Sequence, residues 1–216
     1  MNKINLPTKI TLLRILLSSI LIIGLIVLFL LDEFGIFIVS ELNFTIFNVE
    51  INLILFIAFI IFLVASITDT IDGNLARKLN LITDFGKFLD PLADKILINS
   101  LLIFLIFNFK SLNNYQTIPW FCVVLMVIRD LIVDGLRFMA ASKNIVIAAN
   151  FWGKLKTIFQ MITIGIILLN GFPFKIFDFK FLPYLKISDL ICYFTTFVSI
   201  YSGIIYLKNN YKIFKK

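Results

Sequence analysis

Long apolar runs alternate with short polar connections along the chain of 216 residues. Six of these runs are each about 20 residues long, which is the length that a helix needs to cross a bilayer. They predict transmembrane helices over residues 10–31, 51–68, 86–108, 118–141, 154–171 and 187–207. The connections leave no room for a separate soluble domain. The pattern therefore predicts an all-α, polytopic membrane protein with six transmembrane helices, in which residues 1–216 form a single integral membrane domain.

Composition and charge support this prediction. Hydrophobic residues make up 60 % of the chain and its mean hydropathy is +1.01, which is too apolar for an ordinary soluble domain. The net charge of +7 would suggest nucleic acid in a soluble protein, but with the N-terminus inside, all but four of the 20 Lys and Arg residues fall on the cytoplasmic side. The four outside are Lys110, Lys175, Lys180 and Lys186. This bias predicts a multi-pass protein of the cell membrane with both termini in the cytoplasm and no nucleic-acid partner.

One polar stretch interrupts the apolar pattern at residues 69–95, with the sequence DTIDGNLARKLNLITDFGKFLDPLADK. Asp69 and Asp72 are three residues apart, and Asp90 and Asp94 are four apart, so each pair shares one face of a helix. Apolar runs bound the stretch on both sides, which places it at the cytoplasmic boundary of the membrane. Two facing helices would point four carboxylates at one spot.

Four acids in this setting need compensating positive charge. An acid near the centre of a bilayer costs about 2.5 to 3.5 kcal/mol, and less at a shallow depth. Two divalent cations would neutralise the four, and oxygen ligands suit Mg²⁺ or Mn²⁺. The chain has no histidine, so metal ligands and proton acceptors must be carboxylates. Gly73 and Gly86 leave room for a ligand and the forked guanidinium of Arg77 suits phosphate, so the stretch predicts a two-metal centre that handles phosphate.

Eight residues of this stretch follow the spacing Asp69-x2-Asp72-Gly73-x2-Ala76-Arg77-x8-Gly86-x3-Asp90-x3-Asp94. The spacing resembles, at all eight positions, the signature of the CDP-alcohol phosphotransferases, membrane enzymes that make phospholipids. The resemblance implies the fold of that family and a divalent metal cofactor. It implies that Asp69, Asp72 and Asp90 hold the first metal. For Asp94 it implies either completion of a second metal site or base catalysis at the acceptor hydroxyl.

The same resemblance implies a pocket for the CDP group. Its residues would be Gly73, Ala76, Arg77 and Gly86 in the acidic stretch and Thr11 and Arg14 near the N-terminus. The N-terminal pair belongs to the phrase Asn5-Leu-Pro7-Thr8-Lys-Ile-Thr11-Leu-Leu-Arg14. This phrase resembles the opening of the branch of the family that makes phosphatidylglycerol phosphate, in which the corresponding polar residues help to enclose the nucleotide. From its position alone, Arg14 could instead snorkel to water.

Basic residues later in the chain are candidates for binding the phosphate of an acceptor. They are Arg129, Arg137, Lys154 and Lys156, in the region where the family places its acceptor pocket. Lys154 and Lys156 diverge by about 200° on a helix, so only one of them is expected to face the ligand. Asp130, Asp134 and Arg137 lie four and three residues apart, so an internal ion-pair ladder is the alternative for part of this group.

Four phrases extend the resemblance over most of the chain, namely ITDTIDGNLARK, FGKFLDPLADK, IRDLIVDGLR and WGKLKTIFQM. They are similar to the same branch of the family in order and spacing. This similarity implies transfer of the phosphatidyl group from CDP-diacylglycerol to glycerol 3-phosphate, which gives phosphatidylglycerol phosphate and CMP. It also implies that the chain contacts membrane lipids and forms a homodimer through its membrane helices.

Three alternatives stay open. A cardiolipin, phosphatidylserine or phosphatidylinositol phosphate synthase would share the signature and differ in its acceptor. A cation or proton transporter could use the acids as a relay, but its acids should be distributed over the depth of the membrane, whereas these cluster at one face. A non-catalytic scaffold gives no reason for four bare carboxylates.

Two regions carry no predicted chemistry. Residues 31–52 contain four acids and no basic residue, which fits an outside loop that forms a small hairpin or an interfacial segment. The sixth span is nearly free of polar groups and is expected to serve packing. Cys122 and Cys192 are expected to be buried as small hydrophobes, without a disulfide between them.

Overall fold

The computed structural model describes residues 6–78, 84–112, 115–143, 151–177 and 186–211. Side chains are described in these ranges except at 6, 7, 69–78, 84–88, 90, 91, 141 and 142. Six α-helices cover most of the described chain: α1 (Leu6–Glu33), α2 (Leu53–Lys78), α3 (Asp84–Phe104), α4 (Trp120–Ser142), α5 (Phe151–Leu168) and α6 (Ile187–Asn210). The all-α prediction is confirmed, and the six helices follow the six predicted spans in order.

Three helices of the described chain are long and apolar enough to cross a membrane. They are Thr8–Glu33 in α1, Phe151–Leu168 and Ile187–Asn210. The described apolar part of α2 is Leu53–Thr68, and α2 continues as a helix through the acidic stretch to Lys78. These apolar helices are those of a membrane protein.

The chain divides into two compact units. Unit 1 comprises Met1–Tyr115 with Leu168–Asn170, and unit 2 comprises Gln116–Ile167 with Gly171–Lys216. The four acids of the signature belong to unit 1. The four basic residues predicted to bind the acceptor phosphate belong to unit 2.

In unit 1, α1 packs against both α2 and α3. Near the start of α1, Arg14 pairs with Asp94 of α3. Near its end, the Phe29 ring lies 6.4 and 6.0 Å from the rings of Phe104 and Phe107, measured between centroids. The contacts advance along both helices together, so α1 and α3 run parallel. Both helices therefore begin on the same side of unit 1.

The connection between α1 and α2 folds as a short 3₁₀ helix, Val39–Leu42, followed by a β-hairpin. Its antiparallel strands are β1 (Asn43–Ile46) and β2 (Val49–Asn52). The two turn residues, Phe47 and Asn48, have positive φ angles of 48° and 63°. Positive φ at both positions is the pattern of a type I′ turn, whose twist matches that of the flanking strands. The hairpin alternative for residues 31–52 is confirmed.

In unit 2, α4 packs against α6, and α5 contacts α6 through aromatic rings. Trp152 meets Tyr201 at 4.9 Å and Phe159 meets Phe194 at 5.1 Å between centroids. Because later residues of α5 meet earlier residues of α6, these two helices run antiparallel.

The buried face of α6 is built mostly from small polar residues. Its buried side chains include Ser188, Cys192, Thr195, Ser199, Ser202 and Tyr206, which recur every three or four positions. Small residues let helices in a membrane approach closely, and their hydroxyls form hydrogen bonds across the interface. The helix does serve packing, but its description as nearly free of polar groups is wrong. Cys122 and Cys192 are buried free thiols, as predicted.

Candidate active site

Two helices of unit 1 carry the acids of the signature. Asp69 and Asp72 lie in α2, and Asp90 and Asp94 lie in α3. The prediction that each pair belongs to one continuous helix is confirmed, and the spacing therefore puts each pair on one helix face. Of the predicted site residues in this stretch, Asp94 alone has a described side chain. The side chains of Asp69, Asp72, Ala76, Arg77 and Asp90 lie outside the described ones, as do the surroundings of Gly73 and Gly86.

Asp94 forms an ion pair with Arg14 of α1. Arg14 Nη1 lies 3.1 Å from Asp94 Oδ1, and the two side chains are 2 % and 41 % exposed. A buried guanidinium is stable only with a partner charge, which Asp94 supplies. A buried, paired side chain does not fit the alternative in which Arg14 snorkels to water. The pair thus joins a predicted CDP-binding residue to a predicted metal-binding or catalytic residue.

The first turns of α1 carry a buried polar face. Thr8, Thr11, Arg14 and Ser18 are all buried at helical spacing, and Ser18 Oγ donates to the Arg14 carbonyl at 2.7 Å. Thr11 and Arg14 therefore lie on one buried face, and Arg14 reaches the half-exposed carboxylate of Asp94. Arg14 thus brings this buried polar face of α1 into contact with α3.

The donor set of the acidic stretch suits a hard divalent cation. All four candidate ligands are carboxylates, and α2 and α3 each carry two of them at a spacing that shares a face. Among the described side chains no three His, Cys, Asp or Glu residues come together as a metal site. Asp69, Asp72 and Asp90 are not among these described side chains. The described residues therefore fit a metal through the helical placement of the acids and the 41 % exposure of Asp94.

In unit 2, Lys156 and Asp130 form a buried ion pair. Lys156 Nζ donates to both carboxylate oxygens of Asp130 at 2.6 Å, and the two side chains are each 8 % exposed. Arg129 Nη1 also donates to Asp130 Oδ1, at 3.0 Å. The result is a buried cluster of two cations and one carboxylate, which we call the Asp130 cluster.

Arg129 fastens α4 to α6. Its Nε donates to the Ser199 carbonyl at 3.1 Å and its Nη2 to Ser202 Oγ at 2.7 Å. The side chain lies over Gly203, where an added Cβ would come within 2.8 Å of Arg129 Cγ. Gly203 therefore provides the space that the arginine occupies. Each nitrogen of the Arg129 guanidinium is engaged inside unit 2.

Arg137 and Lys154 are exposed, unlike Arg129 and Lys156. Arg137 Nε donates to the hydroxyl of Tyr206 at 3.1 Å, and its Cζ lies 5.5 Å from the centre of that ring. The expected divergence of Lys154 and Lys156 fits one exposed and one buried lysine. The ion pairs of Asp130 are with Arg129 and with Lys156 of α5, and the described contact of Arg137 is with Tyr206, so these contacts differ from the predicted ladder along α4.

Sequence reasoning missed a second polar layer in unit 2. Thr163 Oγ1 of α5 lies 2.8 Å from Thr195 Oγ1 of α6. Gln160 is fully buried, and neither its amide nitrogen nor its amide oxygen has a hydrogen-bond partner in the described chain. Lys156, Gln160 and Thr163 follow one another at intervals of four and three residues and so share one face of α5. This polar stripe along an apolar helix is the sequence signal from which the polar layer could have been predicted.

Taken together, the helices define an α-helical membrane protein with ion pairs in both of its units. The family model of the CDP-alcohol phosphatidyltransferases matches residues 4–201, and the chain belongs to this family. The resemblance stated from the acidic stretch is thus confirmed.

Several curated proteins are similar to the chain. A Bacillus subtilis protein named CDP-diacylglycerol–glycerol-3-phosphate 3-phosphatidyltransferase is 36 % identical over 211 residues, which is 98 % of this chain and 97 % of that protein. A Mycoplasma pneumoniae protein of the same name is 40 % identical over 186 residues, covering 82 % and 77 %. A Mycobacterium tuberculosis protein named probable phosphatidylglycerophosphate synthase is 43 % identical over 113 residues, covering 52 % and 50 %.

Proposed function

We propose that the chain transfers the phosphatidyl group from CDP-diacylglycerol to glycerol 3-phosphate and so makes phosphatidylglycerol phosphate and CMP. The observation that carries this proposal is the similarity to the Bacillus subtilis phosphatidyltransferase over 98 % of the chain. The full eight-residue signature and the Arg14–Asp94 ion pair support it.

In the reaction, the acceptor hydroxyl oxygen attacks the phosphorus that bears diacylglycerol. A new P–O bond forms, the P–O bond to CMP breaks, and the hydroxyl proton leaves. Asp94 is the proposed acceptor of that proton. Arg14, whose Nη1 lies 3.1 Å from Asp94 Oδ1, would orient the carboxylate for this proton transfer.

Asp69, Asp72, Asp90 and Asp94 are the residues that would hold two divalent ions, Mg²⁺ or Mn²⁺. When bound, such ions neutralise phosphate charge, including the charge that develops on the departing CMP. The CDP group would lie against Thr11, Arg14, Gly73, Ala76, Arg77 and Gly86. The buried polar face of α1 supports the part assigned to Thr11 and Arg14.

The acceptor phosphate would bind in the region of Arg129, Arg137, Lys154 and Lys156. The geometry of unit 2 supports a division of roles among the four. Arg137 and Lys154 are exposed and would contact the phosphate directly. Arg129 and Lys156 are paired with Asp130 and would hold the helices together. Because two cations share one carboxylate, they would also contribute one net positive charge that attracts the acceptor phosphate.

We further propose a multi-pass protein of the cell membrane, formed as one membrane domain over residues 1–216, with both termini and the active site in the cytoplasm. The parallel course of α1 and α3 supports this topology, since two helices that begin on one side require α2 to return between them. The excess of Lys and Arg predicted for the cytoplasmic side supports the orientation. Self-association as a homodimer through the membrane helices belongs to the same proposal.

Release of CMP by the purified full chain in detergent, with Mg²⁺ and CDP-diacylglycerol, tests the reaction. Glycerol 3-phosphate, serine, inositol phosphate and phosphatidylglycerol are offered separately. We expect release with glycerol 3-phosphate alone, and its loss on chelation and in Asp90→Asn. Glu50→Gln, an exposed acid of the hairpin, is the matched control and should release CMP normally.

Two results would overturn the proposal. Release with another acceptor alone would make the chain a different member of its family. No release with any acceptor would contradict the reaction itself, and ion flux across liposomes would then test the transporter alternative.

A further inference from the structure

The segment between α1 and α2, residues 34–52, presents large apolar side chains to its surroundings. We call it the cap. Phe34, Ile36 and Phe47 are 74 %, 72 % and 77 % exposed. Phe37, Ile38 and Leu42 are also exposed, to a smaller degree. Large exposed apolar side chains concentrated on one short segment mark an interaction surface.

The opposite face of the cap is firmly attached to unit 1. Asp32 accepts hydrogen bonds from the backbone N–H groups of Val39 at 3.0 Å and Ser111 at 2.9 Å. Asn52 Nδ2 donates to the Val39 carbonyl at 2.8 Å and to Asn43 Oδ1 at 2.7 Å. The outward orientation of the apolar side chains is therefore built into a hydrogen-bonded structure.

The apolar surface of the cap is continuous with the exposed side of α1. Exposed residues on that helix recur every three or four positions, at Leu13, Leu16, Ile20, Ile23, Val27 and Leu30. Phe34 adds the next step of this stripe, and its N–H still donates to the Leu30 carbonyl at 3.0 Å as in a helix. On a helix that is long and apolar enough to cross a membrane, such a stripe faces lipid. The same lipid is therefore the neighbour of Phe34.

The length of α1 places the cap at the surface of the bilayer. A helix of 28 residues extends about 42 Å at 1.5 Å per residue, whereas the hydrocarbon core is about 30 Å thick. Arg14, beside Asp94, lies in the first third of the helix, so the end of α1 lies toward the surface remote from that pair. The Lys110 ammonium donates to the Glu33 carbonyl at 3.2 Å, which brings a charged group to the same level.

We propose that the cap binds the lipid surface remote from Arg14 and Asp94, with Ile36 and the hairpin tip at Phe47 inserted among the lipid chains and headgroups. Residues 34–52 carry Glu41 and Glu50 and no basic residue, so the attraction comes from apolar burial and not from anionic headgroups. The cap is thus a rigid membrane-interface anchor that is independent of the proposed reaction.

Spin labels in the full chain test this binding. Cys122 and Cys192 are first replaced by Ala, and single cysteines are introduced as Ile36→Cys and Phe47→Cys. Glu41→Cys and Glu50→Cys are matched controls from the same cap, at exposed polar positions. The labelled proteins are reconstituted in phosphatidylcholine vesicles, and collision of each label with oxygen and with a water-soluble nickel chelate is measured.

We expect collision with oxygen to exceed collision with nickel at positions 36 and 47, and the reverse at positions 41 and 50. Nickel excess at 36 and 47 would place these residues in water and overturn the proposal. Low collision with both reagents at 36 and 47 would also overturn it, because protein, such as a second copy of the chain, would then cover the cap.

Discussion

The Arg14–Asp94 pair of unit 1 and the Asp130 cluster of unit 2 use the same chemistry in different surroundings. Arg14 is 2 % exposed, but Asp94 is 41 % exposed and keeps an accessible side. In the cluster, the Lys156 and Asp130 side chains are both 8 % exposed, and Asp130 receives two cations. A half-exposed carboxylate can still bind a ligand, whereas an enclosed one is committed to its partners. The comparison separates a pair suited to chemistry from a cluster suited to holding helices together.

The largest effect on activity is expected at Asp94. Asp94→Asn removes the charge but preserves the shape, so CMP release should fall by about 10²- to 10⁴-fold, as for loss of a catalytic acid–base group. The variant also leaves the buried Arg14 without its partner charge, so the unfolding temperature should fall as well, and CMP release is compared at a temperature at which the variant is folded. Glu41→Gln is the control. Normal turnover by Asp94→Asn would remove Asp94 from the proposed mechanism.

The largest effect on stability is expected in the Asp130 cluster. Asp130→Ala leaves Lys156 and Arg129 as buried cations without their carboxylate, which should cost about 3–5 kcal/mol in unfolding free energy. Asp130→Leu combined with Lys156→Met should cost much less than the single change, because no lysine charge is then left buried. Chemical unfolding in detergent measures both. Equal losses in the two variants would contradict the assignment of a structural role to the pair.

A smaller effect is expected at Gly203, which probes the same cluster from α6. Gly203→Ala puts a Cβ within 2.8 Å of Arg129 Cγ, and overpacking of this kind costs about 1–3 kcal/mol. Gly135→Ala in α4 is the matched control, since an added Cβ there meets nothing within 4 Å. The control should keep or raise the unfolding temperature. An unchanged temperature in Gly203→Ala would show that Arg129 can move aside at no cost.

Tyr206 tests whether the exposed cations bind the acceptor. Tyr206→Phe keeps the ring under Arg137 and removes the hydrogen bond to Nε, which is worth about 0.5–1.5 kcal/mol. The KM for glycerol 3-phosphate should rise by up to roughly tenfold, with kcat and the KM for CDP-diacylglycerol unchanged. Tyr201→Phe, on the same helix, is the control. A fall in kcat without a change in KM would contradict this role for Arg137.

The smallest effect concerns Tyr115, in the loop after α3. Burial raises the pKa of its hydroxyl to about 12, above about 10 in an unfolded chain. The native state therefore retains the proton more strongly, and stability is lost as pH rises from 10 through 12. The stability advantage of the wild type over Tyr115→Phe should shrink across this window, as measured by thermal unfolding. A constant difference would mean that Tyr115 ionises as readily in the folded chain as in the unfolded one.

The helices and the placement of the acids were predictable because both depend on local spacing. Apolar runs set the six helices, and intervals of three and four residues set the shared faces of the two acid pairs. The continuation of α2 to Lys78 was not predicted by hydropathy, since the acidic stretch is polar, although its acid spacing is helical.

The Asp130 cluster was only partly predictable, because Lys156 comes from α5 and Arg129 is also bound by α6. Local spacing indicated a ladder along α4, whereas the lysine that binds Asp130 belongs to α5. The role of α6 was hidden for a related reason. Ser199 and Ser202 hardly change the average hydropathy of a helix, yet their positions decide where Arg129 binds.

The attachment of the cap also sets an order of events during synthesis of the chain. Asp32 reaches Val39 after only seven residues, but its second partner, Ser111, follows 79 residues later. The Tyr115 hydroxyl donates to the Leu168 carbonyl at 3.1 Å, and Asn170 Nδ2 donates to the Glu50 carbonyl across 120 residues at 2.8 Å. The hairpin can form as soon as it leaves the ribosome. The bond to Ser111 must wait for the loop after α3, and the bonds of Leu168 and Asn170 must wait until α5 has been made. The cap is therefore among the first parts of the chain to be translated and among the last to be secured.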